Sequence, residues 1–192
     1  MPFTPYHFGP SAFVGLVFKR WLDLPAFVLA NVAIDMEVLF CIEKTSGPLS
    51  HWNLPHQVFH FHSLLVGGIV GTVFGLAMFP FRSIFEKLMN LLRLAYKPAA
   101  LKMAVSGLLG AWFHVAIDSI YHWDVQMFWP NKSARPLWNL LSRPQIISQS
   151  QIRDICLAFA VAAVALYIVL LVSSFRANRN NKKSASQPTW PV

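Results

Sequence analysis

Apolar residues in this chain come in long blocks separated by short polar segments. The longer blocks cover residues 24–42, 63–81, 103–121 and 155–175, and a shorter block covers residues 11–21. A helix needs about 20 apolar residues to cross the hydrocarbon core of a bilayer. The pattern therefore predicts an all-α, polytopic integral membrane bundle with about five membrane or half-membrane helices, the first of them short or interfacial.

Between the second and third long blocks, residues 82–102 mix basic and apolar side chains. Phe85, Leu88, Met89 and Leu92 recur at helical spacing among the basic residues. This is typical of an amphipathic helix that lies in the membrane interface with its basic side toward lipid headgroups.

A stripe of small residues marks the block at residues 63–81. Gly67, Gly71 and Gly75 are each four residues apart, so on a helix they share one face. Small-residue stripes allow membrane helices to approach closely. The stripe therefore predicts tight packing of this helix against another.

Composition supports the membrane interpretation. The chain is 55% hydrophobic and 12% charged, with a formal net charge of +8; the charged fraction is about half that of a soluble domain. The basic residues lie between and after the apolar blocks, which argues against a nucleic-acid partner. We expect residues 1–175 to form one membrane-embedded, hydrolase-like domain and residues 176–192 to form a basic, disordered tail.

The basic residues also predict an orientation. One side of the expected topology collects Lys19, Arg20, the basic residues of 82–102 and the tail, and carries more than twice as many as the other side. The other side holds Lys44, Lys132, Arg135, Arg143 and Arg153. By the positive-inside rule, the tail is expected to be cytoplasmic, in a cell inner or plasma membrane.

Ionisable groups interrupt the apolar blocks. His114, Asp118 and His122 are four residues apart, so they form one ridge on a helix, about 6 Å apart along the axis. An imidazole and a carboxylate at this spacing can bind one metal ion. The alternative is a hydrogen-bonded pair in a packed interior, and the motif alone favours neither.

Other ionisable residues fall at the same end of the expected bundle. Asp35 and Glu37 lie late in an outward-running block, and a histidine-rich stretch begins the next block inward. That stretch contains His56, His60 and His62, and His7 precedes the first block. Ionisable groups near lipid need partners, so their convergence predicts a site facing the exoplasmic or periplasmic side.

Histidine nitrogen and carboxylate oxygen suit zinc, with manganese as the alternative, and such a site can hold two ions that activate water against a phosphoester. The chain has no Gly-x-Ser-x-Gly elbow, so a metal-activated water is the expected nucleophile. We predict Asp35, His60, His114 and Asp118 as catalytic metal ligands. His7 and His56 complete the predicted metal site. Its depth, near the headgroups, suggests a membrane lipid as substrate.

Glu37, His62 and His122 can be interpreted without a role as metal ligands. Glu37 follows Asp35 by two positions, about 200° around a regular helix, so both reach one site only if the helix breaks there; a supporting role for Glu37 is as well favoured as ligation. His62 is interpreted as a loop or interfacial side chain. His122 fits the aromatic belt at the membrane surface.

Other functions also use such residues. A haem-binding electron carrier would use His60 and His114 as axial ligands, but this leaves Asp35 and Asp118 unexplained. An ion or metal transporter would use the same acidic and histidine groups as a pathway. A purely structural membrane protein would not explain the clustering.

Four segments in order carry a resemblance to a family. They are the opening Met-Pro-Phe-Thr-Pro-Tyr-His, the Asn-Val-Ala-Ile-Asp-Met-Glu segment at residues 31–37, His-Gln-Val-Phe-His at 56–60 and Gly-Ala-Trp-Phe-His-Val-Ala-Ile-Asp at 110–118. Together with Phe-Trp-Pro at 128–130, they resemble the membrane-bound metal-dependent hydrolases typified by YdjM. The resemblance covers about residues 1–140.

The resemblance implies phosphoester hydrolysis, since that family is grouped by its pattern with zinc-dependent phospholipase C and related helical nucleases. It implies metal ligation by His7, Asp35, His114 and Asp118, together with His56 or His60. The chain departs from the pattern in having Gln57 after the first histidine, and in lacking the Thr-Pro turn after the aspartate and a later His-x-x-x-Glu pair. The implied substrate is a lipid or small-molecule phosphoester.

Overall fold

The computed structural model describes residues 5–37, 59–131, 133, 136–142 and 146–185. Within these ranges the chain is helical and contains no strand, which confirms the predicted all-α class. The six α-helices are α1 (Pro5–Val17), α2 (Leu24–Ala33), α3 (Leu64–Ala77), α4 (Arg82–Leu91), α5 (Ala100–Tyr121) and α6 (Gln149–Ala185). A 3₁₀ turn occupies Phe79–Phe81 and a π-helical turn occupies Trp138–Ser142.

Three helical stretches of the described chain are long and apolar enough to cross a membrane. They are Leu64–Leu91, Ala100–Ile120 and Ser150–Ala177. The other two membrane segments that the sequence predicts are short: α1 has 13 residues and α2 has 10, which correspond to about 20 and 15 Å of helix. In the predicted block at residues 24–42, regular helix ends at Ala33, and residues 38–42 lie outside the described ranges.

The beginnings of α2 and α3 follow from local side chains. The Asp23 carboxylate accepts a hydrogen bond from the Ala26 N–H (3.1 Å), and Pro25 lies in the first turn of α2. The Ser63 hydroxyl oxygen accepts from the Val66 N–H (3.1 Å). Each oxygen satisfies a backbone donor that has no partner within its helix.

α5 is the central helix, and both α3 and α2 pack along it, while α1 packs along α6. α3 and α5 run antiparallel, and glycines at their contact allow the two backbones to approach closely. A Cβ atom added to Gly71 would overlap the carbonyl oxygen of Gly107, and one added to Gly107 would overlap that of Gly71. The glycine stripe therefore packs as predicted.

α4 crosses one end of the bundle. At its start, Phe85 packs with Met78 and Met103, and at its end Met89 packs with Leu16 and Ala163. Its other face exposes apolar residues beside charged ones. The exposed apolar residues are Ile84, Leu88 and Leu91. This confirms an amphipathic helix with a surface suited to the membrane interface. The helix is shorter than the predicted segment 82–102, because it ends at Leu91, residues 94–99 are not helical and α5 begins at Ala100.

The bundle has two chemically different ends. The start of α1, the end of α5 and the start of α3 meet at one end, which we call the cluster end. The connection from α1 to α2, helix α4 and the start of α5 lie at the other, which we call the basic end. The described basic side chains there are Lys19, Arg20, Arg82, Lys87, Arg93, Lys97 and Lys102.

The tail differs from the prediction. Residues 176–185, which we expected to be disordered, continue α6 as helix up to Ala185. No proline or glycine interrupts the chain between Ile155 and Ala185, so the backbone of α6 has no local reason to stop where the apolar block ends.

Candidate metal centre

Asp35 and Glu37 reach the same side chain because regular helix α2 ends before them. A turn at residues 34 and 35 follows Ala33. Asp35 Oδ1 then lies 3.6 Å from Nε2 of His62, and Glu37 Oε2 lies 2.9 Å from Nδ1 of the same ring. The helix break that the sequence required for both carboxylates to reach one site is therefore present.

His62 enters the bundle because the backbone reverses at His60. His60 has a left-handed φ of 56°, a conformation in which histidine is enriched among non-glycine residues. The Ser63 hydroxyl donates to the carbonyl of His60 (2.8 Å), and the Leu64 N–H donates to the carbonyl of Met127 (2.9 Å). This tight turn buries His62, which is 1% exposed.

α5 contributes the remaining two members of the group. His114 and Asp118 are one turn apart, and His114 Nε2 lies 3.1 Å from Asp118 Oδ2. Both side chains are buried. α5 ends at Tyr121, so His122 has an extended backbone and its N–H donates to the carbonyl of Asp118 (2.7 Å). The predicted placement of His114 and Asp118 on one face of a helix is therefore confirmed.

Asp35, His62, His114 and Asp118 form a group able to hold a metal ion, with one ligand atom from each residue within 4.8 Å of the others. The two imidazole Nε2 atoms are 3.3 Å apart. His114 Nε2 is 3.1 Å from Asp35 Oδ1, and His62 Nε2 is 3.4 Å from Asp118 Oδ2. Tetrahedral zinc with bonds of 2.0–2.1 Å requires ligand atoms about 3.3–3.4 Å apart. The atom pairs that include a histidine nitrogen are 3.1–3.6 Å apart, close to that requirement, and the two aspartate oxygens lie within 4.8 Å of each other.

Glu37 supports this group from behind His62. It is fully buried, and its second oxygen accepts a hydrogen bond from the Phe59 N–H (2.5 Å). A hydrogen bond donated by Nδ1–H of His62 to Glu37 would leave the Nε2 lone pair of that ring facing the other three residues. Metal-binding histidines commonly have a carboxylate on the second ring nitrogen.

His7 borders the group without belonging to it. Its ring stacks on His114 with centroids 4.4 Å apart, and its Nε2 lies 3.1 Å from Asp118 Oδ1. The two oxygens of Asp118 thus face different histidines: Oδ1 faces His7 from α1, and Oδ2 faces His62 and His114.

Electrostatics favour a charged carboxylate at Asp35. Burial acts to raise the pKa of Asp35, but hydrogen bonds from His114 and His62 outweigh it and hold that pKa below its usual range. At 17% side-chain exposure, Asp35 is also the most accessible of the four residues. A ligand or water molecule therefore reaches the group most easily beside Asp35.

The structure brings together three of the six predicted metal ligands, Asp35, His114 and Asp118, with His7 beside them. His56 lies outside the described residues. His60 is not in the group: its ring stacks on Trp129 with centroids 4.7 Å apart.

The interpretation of His62 as a loop or interfacial side chain was wrong, because the turn at His60 directs His62 into the bundle. One signal was available in the sequence. Ser63 is a favourable N-cap before an apolar run, which places His62 directly against the start of a helix.

The fold and the group define a helical membrane protein with a buried acidic and histidine cluster of metal-binding composition. The chain belongs to the YdjM inner membrane protein family, whose model matches residues 3–178. The match extends beyond the motifs at residues 1–140 and includes the span Ser150–Ala177. Searches of the curated proteins and of the solved structures gave no match.

Proposed function

We propose that the protein is a membrane-bound, metal-dependent hydrolase that acts on a phosphoester, with a lipid headgroup as the favoured substrate. The observation that carries the proposal is the close approach of four nitrogen and oxygen atoms, from the buried His62, His114 and Asp118 and the partly exposed Asp35. The support for zinc is the mixture of imidazole and carboxylate donors, with manganese as the alternative.

A divalent cation at this position would supply Lewis-acid chemistry, by polarising a phosphoryl oxygen and lowering the pKa of a water molecule. The chain's own residues would prepare the site for it. Glu37 would orient the ring of His62. One turn of α5 holds His114 and Asp118 side by side. Asp35 lies at the accessible edge of the group. His7 restrains Asp118 from the opposite side.

The depth of the group supports a lipid substrate. The group lies near the start of the candidate span Leu64–Leu91 and near the end of the candidate span Ala100–Ile120. The ends of membrane helices are expected near the lipid headgroups. The positive-inside rule applied to the basic end supports a cluster end that faces the periplasm.

The haem alternative loses support from the same distances. Nε2 of His114 has neighbouring atoms at 3.1 to 3.3 Å from Asp35, Asp118 and His62. A porphyrin iron bound to this nitrogen would require those side chains to move away.

The test is a phosphoester hydrolysis assay on detergent-purified protein stripped with a chelator and then reloaded with zinc or manganese. We expect the wild type to lose activity on stripping and to regain it on reloading. Asp118→Asn should be at least about a hundredfold slower, since it removes charge from the metal-binding group. The matched control, Glu86→Gln on exposed α4, should behave as the wild type. A metal-loaded wild type that cleaves neither phosphatidylglycerol nor bis(4-nitrophenyl) phosphate would overturn the proposal.

A further inference from the structure

A large apolar cavity lies under α4 at the basic end, opposite the candidate metal centre. Its volume is about 370 Å³, within the range of about 300–1,000 Å³ that is usual for ligand sites. Helices α1, α2, α4 and α6 all contribute to its wall. The wall has one side chain with a polar atom, Tyr167, and that hydroxyl already donates to the carbonyl of Leu92 at 3.2 Å. The cavity therefore suits a hydrocarbon chain.

The cavity lies at the depth of lipid chains, and Arg93 lies at the depth of lipid headgroups. Tyr167 in the cavity wall comes ten residues before the end of the candidate span Ser150–Ala177, which is about 15 Å along the helix. Phe175 comes two residues before that end, and the guanidinium of Arg93 lies over its ring, 4.1 Å from the ring centre. The ends of membrane helices are expected near the lipid headgroups.

Arg93 stands beside the cavity in an unusual backbone conformation. It comes between Leu92 and Leu94, which both line the cavity. At the end of α4 the Arg93 N–H donates to the carbonyl of Asn90 (3.0 Å), and the Leu94 N–H donates to that of Met89 (2.9 Å). This pattern is a Schellman motif, whose left-handed position is usually occupied by glycine. Arg93 occupies that position with a φ of 56°. A side chain is disfavoured there, so the turn itself does not explain the arginine.

The guanidinium of Arg93 is held in place but keeps its hydrogen-bond donors available. It stacks on Phe175, and a stacked guanidinium directs its N–H groups outward in its own plane. Within the part of the chain that the structure describes, no oxygen accepts a hydrogen bond from this side chain and no carboxylate pairs with it. A guanidinium in this state can bind a phosphate through two parallel hydrogen bonds.

The charge of the basic end complements an anionic headgroup. Seven lysine and arginine side chains are described there, whereas the carboxylates described at the same end are those of Asp23, which is buried, and Glu86. Basic segments beside membrane helices attract anionic lipids of the cytoplasmic leaflet. An apolar cavity in the hydrocarbon layer and a preoriented cation at its headgroup level together match one phospholipid molecule.

We propose that the cavity under α4 binds one acyl chain of an anionic phospholipid, and that Arg93 binds the phosphate of the same lipid. The bound lipid fills the space between α1, α2, α4 and α6 and stabilises their packing. It lies at the end of the bundle opposite the metal centre, so it is a resident lipid and not the substrate. The inference does not rest on the proposed function.

The first test measures lipid binding to detergent-purified protein by native mass spectrometry. Phosphatidylglycerol and phosphatidylcholine with the same acyl chains are titrated separately. The wild type should bind one phosphatidylglycerol molecule at least about tenfold more tightly than phosphatidylcholine. Arg93→Gln should raise the dissociation constant of phosphatidylglycerol about ten- to hundredfold, as expected for the loss of hydrogen bonds to a charged group, and should leave that of phosphatidylcholine unchanged. Arg153→Gln, at the other end of the bundle, is the matched control and should behave as the wild type.

The second test fills the cavity. Val28 lines it from α2, so Val28→Trp should place the indole in the space of the acyl chain and weaken the binding of both lipids. Val161→Trp makes the same change on the lipid-facing side of α6, where Val161 is 70% exposed and outside the cavity wall. This control should bind both lipids as the wild type does.

The third test separates lipid binding from a structural role of Arg93. Arg93→Gly gives the Schellman motif its usual residue, so in phosphatidylcholine its thermal unfolding midpoint should be no lower than that of the wild type. The rise of this midpoint on addition of phosphatidylglycerol, which the wild type should show, should be lost.

The inference is overturned if the wild type binds the two lipids equally, if Arg93→Gln keeps the preference for phosphatidylglycerol, or if either control variant shows the same loss as its partner. A lipid-free dimer that Val28→Trp dissociates would also overturn it, because a second copy of the chain would then cover the cavity. Zinc binding should be unchanged in Arg93→Gln, so a failure of the proposed hydrolase activity leaves this site standing.

Discussion

Two aspartates at opposite ends of the bundle are almost completely buried, yet their surroundings differ. At the basic end, Asp23 is 0% exposed: its carboxylate caps α2 at Ala26 and interacts with Tyr96 and Lys102, and its own N–H donates to the Ser106 hydroxyl oxygen at 2.7 Å. At the cluster end, Asp118 is 2% exposed and faces the nitrogens of three histidines. Burial alone therefore does not distinguish a functional carboxylate from a structural one; the type of partner does.

The pKa values of aspartates at the two ends also shift in opposite directions. Burial, which outweighs the hydrogen bond from Ala26, raises the pKa of Asp23. At the cluster end burial opposes the histidine hydrogen bonds at Asp35, and there the pKa is lowered. A carboxylate held in its charged form beside imidazoles suits a cation, whereas Asp23 suits the end of a helix.

The largest expected effect comes from replacing His62, and replacing His60, two residues earlier, provides the comparison. His62→Ala should weaken zinc binding by more than about a hundredfold, because it removes one of the four ligand atoms. His60→Ala should change zinc affinity less than about threefold, since its ring stacks on Trp129 instead. Competitive titration with a chromophoric chelator measures both, and equal losses in the two variants would place the metal elsewhere.

A smaller effect is expected at Glu37. Glu37→Gln should lower zinc affinity about ten- to hundredfold while the fold is kept, because His62 loses the charged partner that orients its ring. Glu86→Gln, on the exposed surface of α4, is the matched control and should leave the affinity unchanged. An unaltered affinity in Glu37→Gln would show that this carboxylate does not support the site.

The smallest effect is expected at the basic end. Asp23→Ala should destabilise the protein by about 0.5–2 kcal/mol through loss of the α2 cap, with zinc affinity preserved. Asp23→Asn keeps an oxygen for the Ala26 N–H and should cost less. Thermal unfolding and zinc titration of both variants test this, and a loss of zinc in Asp23→Ala would remove the distinction between the two ends.

Much of this arrangement was predictable because it follows from periodicity. The four-residue spacing places His114 and Asp118 on one face, and the glycine stripe on α3 predicts close packing against another helix. Asp35 converges with them because antiparallel helices return the chain to the same end. Charge and amphipathicity were sufficient to predict α4.

Periodicity could not predict which histidine before α3 joins the cluster. His60 and His62 are two residues apart before a helix, so either can face inward, and the left-handed backbone at His60 decides between them. Near that turn, the Leu64 N–H donates to the Met127 carbonyl and the His60 ring stacks on Trp129. Both partners are distant in sequence. The turn at residues 34–35, which lets Asp35 and Glu37 share His62, also lacks a glycine or proline signal.

The most direct test of the central claim is the metal content of detergent-purified protein, measured by mass spectrometry for the wild type, His114→Ala and Asp118→Ala. The account predicts near-stoichiometric zinc or manganese in the wild type, and its loss from both variants while circular dichroism shows that they remain helical. A wild type that stays metal-free after divalent ions are supplied would contradict the account, as would folded variants that retain the metal.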